Sequence, residues 1–340
     1  MRAFVITGPG RAEVRDVPAP EARPGEVVVD VERAGVCGTD MEFFSGAMSY
    51  LHTGQARYPM RIGHEWCGTV AAVGAGVDGC WIGRRVTGDT MLGCGRCRRC
   101  ASGRQHVCAD RHEIGIRNGW PGALAEQLPV PVRALRVLPD SVDAALGALV
   151  EPGGNALRAV GAAALPPGGR LLVLGPGTIG LLAAQIAAAQ GAEVHLLGRD
   201  GGSLAFAASI GLTRAWTVET LPELPWDAVI DASNGAELPA LAAELVEPGR
   251  RVVYVGLASG PSLVDSRNLV LKDVTAVGVL SGSGGFAGVV ELFAAGLVDP
   301  RPLVAATVCL EDVPAVLAGE RHPAWGSGPK IHVVPSSKGT

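Results

Sequence analysis

The chain has 340 residues, of which 48% are hydrophobic and 18% charged, and its formal net charge is −4. That length allows roughly two domains, each with a full apolar core, and with aromatics at only 4% those cores must be built from Val, Leu, Ile and Ala. The acidic balance excludes a nucleic-acid partner, whose footprint is basic; Arg96, Arg98, Arg99 and Arg104 read as a solvated lobe.

Residues 1–10 read as a short strand and a turn. They lack the apolar core and cleavage site of a signal peptide, so a cytoplasmic location is expected. Through residue 150 the chain is β-rich, with β-branched runs such as 27–31 and 69–73 between Gly/Pro turns. From about 168 the rhythm changes. Residues 171–192 carry no charge, a length that suits a membrane span. Gly175, Pro176 and Gly177 break that run, however, and Gln185 and Gln190 lie in its second half. A buried strand over 170–174, a glycine turn and a helix over 179–189 explain it better, and no membrane partner is expected. A strand over 193–197, a helix over 203–210 and the segments 228–230, 238–245, 251–255 and 274–279 continue the alternation. This β-α rhythm predicts an α/β fold with a doubly wound parallel sheet. The expected organisation is a β-rich domain over 1–150, a dinucleotide-binding domain over 151–283, and a segment over 284–340 that begins with a helix at 288–295 and returns to the first domain.

Gly175-Pro176-Gly177-Thr178-Ile179-Gly180 is a G-x-G-x-x-G. Alone the pattern is weak, but here it follows a predicted strand and opens a helix. Gly175 permits the turn, Gly177 lets backbone approach a pyrophosphate, and Gly180 packs helix on strand. Thr178 and Ile179 open the helix whose N-terminus would receive the anion. The second strand ends in Gly198-Arg199 rather than in an acid. Loss of that carboxylate and gain of an arginine favour a 2′-phosphate, hence NADP. Asp200 lies close to the alternative spacing of about 20 residues and keeps NAD open.

With no secretion signal, the eight cysteines Cys37, Cys67, Cys80, Cys94, Cys97, Cys100, Cys108 and Cys309 point to metal rather than disulfides. Cys94-x2-Cys97-x2-Cys100-x7-Cys108 fits a closed, tetrahedral, structural zinc site. Cys37, His64, Glu65 and Glu151 are dispersed. Thiolate, imidazole and carboxylate together suit a catalytic zinc with an open position, so two zinc ions per chain are expected.

The combination of Cys37-Gly38-Thr39-Asp40, Gly63-His64-Glu65 with Gly68 and Gly74 following, the four-cysteine lobe and the later G-x-G-x-x-G resembles the zinc-containing medium-chain dehydrogenase/reductases. The resemblance covers essentially the whole chain. It implies a GroES-like catalytic domain, a Rossmann domain that binds NAD or NADP, and a homodimer or homotetramer. Glu151-Pro152 looks like the sorbitol, threonine and polyol branch. By that resemblance Cys37 and His64 are zinc ligands, Glu65 and Glu151 share the remaining duties, Thr39 hydrogen-bonds the substrate oxygen, and Asp40 orients the zinc-site histidine.

Two departures concern the substrate. Gly153-Gly154-Asn155 and Arg158 stand where the branch has Leu-Ala and a later His, and Met41-Glu42 stand where a His is common. They argue against simple ethanol or sorbitol activity. His52 reads as a loop histidine rather than a substitute proton relay, and Glu42 is a candidate partner for a substrate amine. Overall likeness is greatest to the aminocyclitol dehydrogenases of 2-deoxystreptamine antibiotic assembly. That implies oxidation of a ring hydroxyl of 2-deoxy-scyllo-inosamine to 3-amino-2,3-dideoxy-scyllo-inosose; the alternative is another polyol, sugar alcohol or amino alcohol.

Overall fold

The computed structural model describes residues 1–258 and 260–336. The chain divides into two units, 1–151 with 304–326 and the segment from Lys330, and 152–303 with 327–329.

The first unit begins with the hairpin β1 (Arg2–Gly8) and β2 (Arg11–Asp16). Its spine is β3 (Glu26–Val36), an eleven-residue strand. Two short helices follow, α1 (Gly38–Ser45) and α2 (Ser49–His52). Then come β4 (Glu65–Val73), β5 (Arg85–Gly88), β6 (Met91–Leu92), α3 (Arg98–Ala101), β7 (His112–Glu113), β8 (Gln127–Pro131), β9 (Leu135–Val137) and α4 (Ala144–Ala148). One edge of β3 pairs antiparallel with β4. The other edge is shared: residues 26–30 pair with β8, and 34–36 pair with a strand from the far end of the sequence. Val27, Val29 and Val31 alternate inward onto Phe4, Trp66, Leu128 and Val333 in one apolar core.

Helix α5 (Val150–Ala163) carries Glu151 in its first turn and leads into the second unit. There β10 (Arg170–Leu174), α6 (Thr178–Ala189), β11 (Glu193–Leu197), α7 (Gly201–Ser209), β12 (Ala215–Trp216), β13 (Trp226–Asp231), α8 (Leu238–Leu245), β14 (Val246–Tyr254), α9 (Ser266–Leu271), β15 (Thr275–Gly278) and α10 (Phe286–Ala294) alternate. The six strands run in the order β12-β11-β10-β13-β14-β15, all parallel. The order reverses between β10 and β13, which is the dinucleotide-binding arrangement. The uncharged run is a five-residue strand and a twelve-residue helix. Among the described residues no helix is long and apolar enough to cross a membrane.

The tail differs from expectation. Residues 284–303 belong to the second unit, and the return begins at Val304. The cause is the apolar face of α10: Phe286, Val289 and Phe293 are buried, and Gly153 of α5 lies so near Val289 and Phe293 that a Cβ there would sit 2.8 Å from Val289 Cγ1. In the first unit, β16 (Val304–Cys309), α11 (Val313–Leu317) and β17 (Lys330–Val334) complete the set, with β17 lying between β16 and β3. The last four positions of the expected tail, 337–340, lie outside the described residues.

Candidate metal centres and cofactor site

The β3–β4 register builds the first centre. Antiparallel pairing sets Gly35 opposite Glu65, so Cys37, just past β3, meets His64, just before β4. Ligand atoms of Cys37, His64 and Glu65 all lie within 4.8 Å of one another. A side chain at residue 35 is excluded, because a Cβ there would stand 2.0 Å from Glu65 Oε2. Cys37 caps α1, and Asp40 in the first turn is fully buried. The Asp40 carboxylate accepts hydrogen bonds from the Cys37 N–H (2.9 Å) and the Gly63 N–H (3.2 Å), and its Oδ1 stands 3.7 Å from His64 Nδ1. Burial raises the Asp40 pKa, partly offset by His64. Burial also pulls the imidazole down, yet Asp40, Cys37 and Glu151 outweigh it and hold the His64 pKa well above its usual range. With Asp40 beside Nδ1, Nε2 is the nitrogen left for a metal. Thiolate, imidazole and carboxylate within one small cluster fit a zinc ion.

Glu151 is buried at 8% exposure but is not a member of that cluster. Its charge still reaches His64. Glu65 is engaged from the other side: Lys330 Nζ lies 2.7 Å from both of its carboxylate oxygens and 2.9 Å from Val36 O. Sequence reasoning missed Lys330. Its signal was a lone lysine opening the apolar run Lys330–Val334, a residue type almost never buried unless paired. Thr39 is half-buried in the first turn of α1, and Glu42 is exposed on the same helix. His52 is exposed, with Nε2 3.1 Å from Gly46 O.

The second cluster is Cys94, Cys97, Cys100 and Cys108, also mutually within 4.8 Å. Cys97 and Cys108 sulfurs stand 3.8 Å apart. That is far beyond a disulfide bond, and it matches the edge of about 3.8 Å in a tetrahedron of ~2.3 Å zinc–sulfur bonds. Backbone N–H groups of Arg96 and Cys97 draw the Cys94 thiol down to about 6, whereas burial pushes Cys100 up to about 12. Gly93 makes room for the lobe; a Cβ there would meet Cys100 Sγ at 2.7 Å.

In the second unit, Gly175 turns the chain at φ 96° and Gly177 caps α6. A Cβ at Gly180 would stand 1.9 Å from Gly175 O, so that position must be glycine. A Cβ at Gly177 would meet nothing within 4 Å, which leaves open space before the first-turn N–H groups of Thr178, Ile179 and Gly180. Gly198 ends β11 against Pro176 and Leu204, where a Cβ would meet atoms at 2.9 and 2.8 Å. Arg199 is exposed. Asp200 caps α7, accepting from Ser203 N (2.8 Å) and Ser203 Oγ (2.9 Å).

Comparison with known proteins gives the family. Residues 23–140 match the alcohol dehydrogenase GroES-like domain, and 178–295 match the zinc-binding dehydrogenase domain. The 2-dehydro-3-deoxy-L-galactonate 5-dehydrogenase of Pseudoalteromonas atlantica is 32% identical over 314 residues, 88% of this chain and 89% of that protein. The chain belongs to the zinc-type medium-chain dehydrogenases. Another relative of this dehydrogenase is the L-threonine 3-dehydrogenase of Saccharopolyspora erythraea, 32% identical over 82% of this chain and 83% of the relative. Among solved structures, a zinc-binding dehydrogenase of Sinorhizobium meliloti bound to NADP matches with a TM-score of 0.88 and 27% identity over 98% of this chain and 99% of that one. An Escherichia coli alcohol dehydrogenase complexed with NADH matches with a TM-score of 0.89 and 26% identity over the same shares. The GroES-like and Rossmann-type assignments hold, and the chain is an enzyme of the alcohol dehydrogenase class.

Proposed function

We propose that this dehydrogenase oxidises a secondary hydroxyl of a polyol, sugar alcohol or amino alcohol, with two zinc ions per chain and NADP or NAD as hydride acceptor. The observation that carries the reading is the cluster of Cys37, His64 and Glu65 in a chain that also holds an open glycine turn before α6. Zinc, when bound, supplies Lewis-acid polarisation of an alcohol or carbonyl oxygen, and the nicotinamide carries the hydride. The chain supplies the rest. Cys37, His64 and Glu65 hold the metal, and Glu151, whose charge reaches His64, is the candidate to exchange into that set. Asp40 orients His64, and Lys330 balances the charge of Glu65. Thr39 Oγ1 accepts the substrate hydroxyl hydrogen bond. Cys94, Cys97, Cys100 and Cys108 clamp the lobe.

The cofactor preferred is NADP. Gly198 brings no carboxylate to the end of β11, Asp200 is spent on capping α7, and exposed Arg199 is free to meet a 2′-phosphate. Within the substrate class we favour 2-deoxy-scyllo-inosamine, oxidised to 3-amino-2,3-dideoxy-scyllo-inosose in antibiotic assembly. It joins the polyol character of one group of relatives to the amino-alcohol character of threonine. Glu42, three residues after Thr39 on α1, is the candidate partner for the substrate's ammonium group. A cytoplasmic homodimer or homotetramer completes the reading. Leu263, Val270 and Leu271 are 79–90% exposed, and β15 is an edge strand with a single neighbour, features that call for a cover.

The test is reduced-nicotinamide absorbance with NADP or NAD against 2-deoxy-scyllo-inosamine, myo-inositol, sorbitol and threonine. Preference for the aminocyclitol supports the specific substrate. Turnover of sorbitol or threonine alone retains the class and removes that substrate.

A further inference from the structure

The first unit contains a cavity of about 710 Å³ lined by the β1–β2 hairpin, residues 54–61 and residues 116–121. None of its lining residues belongs to either metal cluster. Its volume lies in the range of small-molecule sites.

The lining has a single sign of charge. Arg15, Arg57 and Arg61 contribute to it, and no Asp or Glu does, in a protein of net charge −4. Arg57 is exposed, whereas Arg15 and Arg61 are partly desolvated. Burial lowers the Arg61 pKa, with no carboxylate acting against it. Arg15 pairs with Glu13 through Nη2, but its Nε is buried without a hydrogen-bond partner. Desolvated donors of this kind cost free energy until an acceptor reaches them. The lining also has apolar members: Trp120, Met60 and Ile116 face the same space. The Trp120 indole is fixed, since its Nε1–H donates to Pro129 O at 3.0 Å.

We propose that this cavity binds a small organic anion, its oxyanion head on Arg15, Arg57 and Arg61 and its apolar body against Trp120. Guanidinium forks suit carboxylate and phosphate alike, and a flat indole suits a planar or aliphatic body.

Phenyl phosphate, benzoate and inorganic phosphate serve as probes. Each is titrated into the zinc-loaded protein by calorimetry and tryptophan fluorescence, with and without saturating NADP. The expected result is that phenyl phosphate or benzoate binds more tightly than inorganic phosphate, quenches Trp120, and still binds when NADP is present. Arg61→Gln should weaken that binding roughly 10- to 100-fold, the loss of one or two charge-assisted hydrogen bonds. Arg57→Gln, at an exposed position, gives the same direction should Arg61→Gln fail to fold. Arg199→Gln, titrated without NADP, should leave the affinity for phenyl phosphate or benzoate unchanged. Displacement by NADP would assign the anion to the dinucleotide site and overturn the proposal. So would equal affinity in the arginine variants, equal affinity for inorganic phosphate, or no binding at millimolar probe.

Discussion

Lys330 Nζ sits 2.7 Å from each carboxylate oxygen of Glu65, in a place where both side chains are at most 4% exposed. Burial alone would pull the ammonium toward neutrality; Glu65, with help from Cys37, reverses this and raises its pKa. A pair so placed is costly to break from one side, because the survivor is left as a buried, uncompensated charge. Lys330→Met should therefore lower the unfolding free energy by about 3–5 kcal/mol. Adding Glu65→Gln in the same chain should restore part of it. Urea denaturation of the single and double variants checks this; equal stability of wild type and Lys330→Met would show that the charge of Glu65 is met elsewhere.

His332 lies two residues on, fully buried, with neither ring nitrogen hydrogen-bonded. Burial, with Lys330 and Arg33 nearby, depresses its pKa to about 3. The folded protein thus holds it neutral while the unfolded chain takes up a proton near pH 6.5. The sign follows: stability is full above pH 6.5 and falls as pH drops from there toward 3, at about 1.4 kcal/mol per pH unit from this group. His332→Leu removes that slope and, since no hydrogen bond is lost, should be neutral or stabilising at pH 7.5. Denaturation midpoints of both proteins at pH 7.5, 6.5 and 5.5 decide it; a constant difference between them would refute the assignment.

The two cysteine-containing clusters should empty separately. Elemental analysis is expected to find two zinc ions in the wild type, one in Cys97→Ser, one in Cys37→Ser and none in the double variant. Retention of both ions by either single variant would remove that cysteine from its site.

Arg199→Ala should raise KM for NADP roughly 10- to 100-fold, the value of a lost charge-assisted contact, and leave KM for NAD within about twofold. A parallel loss for both cofactors would move recognition to Asp200.

Much of this was legible from residue order. The run 171–174 within β10 has clear limits because a strand buried on both faces is continuously apolar and stops where glycine turn chemistry begins. The three glycines at 175, 177 and 180 carry their meaning in their spacing. Other features were hidden for physical reasons. The apolar face of α10 could have packed on either unit, and only its contact with Gly153 decides. Four dispersed residues were candidates for one zinc, and distance alone separates Cys37, His64 and Glu65 from Glu151. Lys330 opened an ordinary apolar strand, so its partner 265 residues away was invisible. The arginine-lined cavity draws on three separate stretches of chain, none of which carries a motif.

The place of β17 between β16 and β3 also governs how the enzyme is made. The strand that closes β3 is synthesised 294 residues after it, which at ribosomal speeds of about 5–20 residues per second is roughly 15–60 s later. During that interval residues 152–303 emerge and can settle into their own fold. The zinc-binding half waits with part of an edge open and Glu65 without its counter-charge. Assembly of the metal centre is thereby a late event of translation, and a message cut short before Lys330 yields a cofactor-binding domain attached to an unfinished catalytic one.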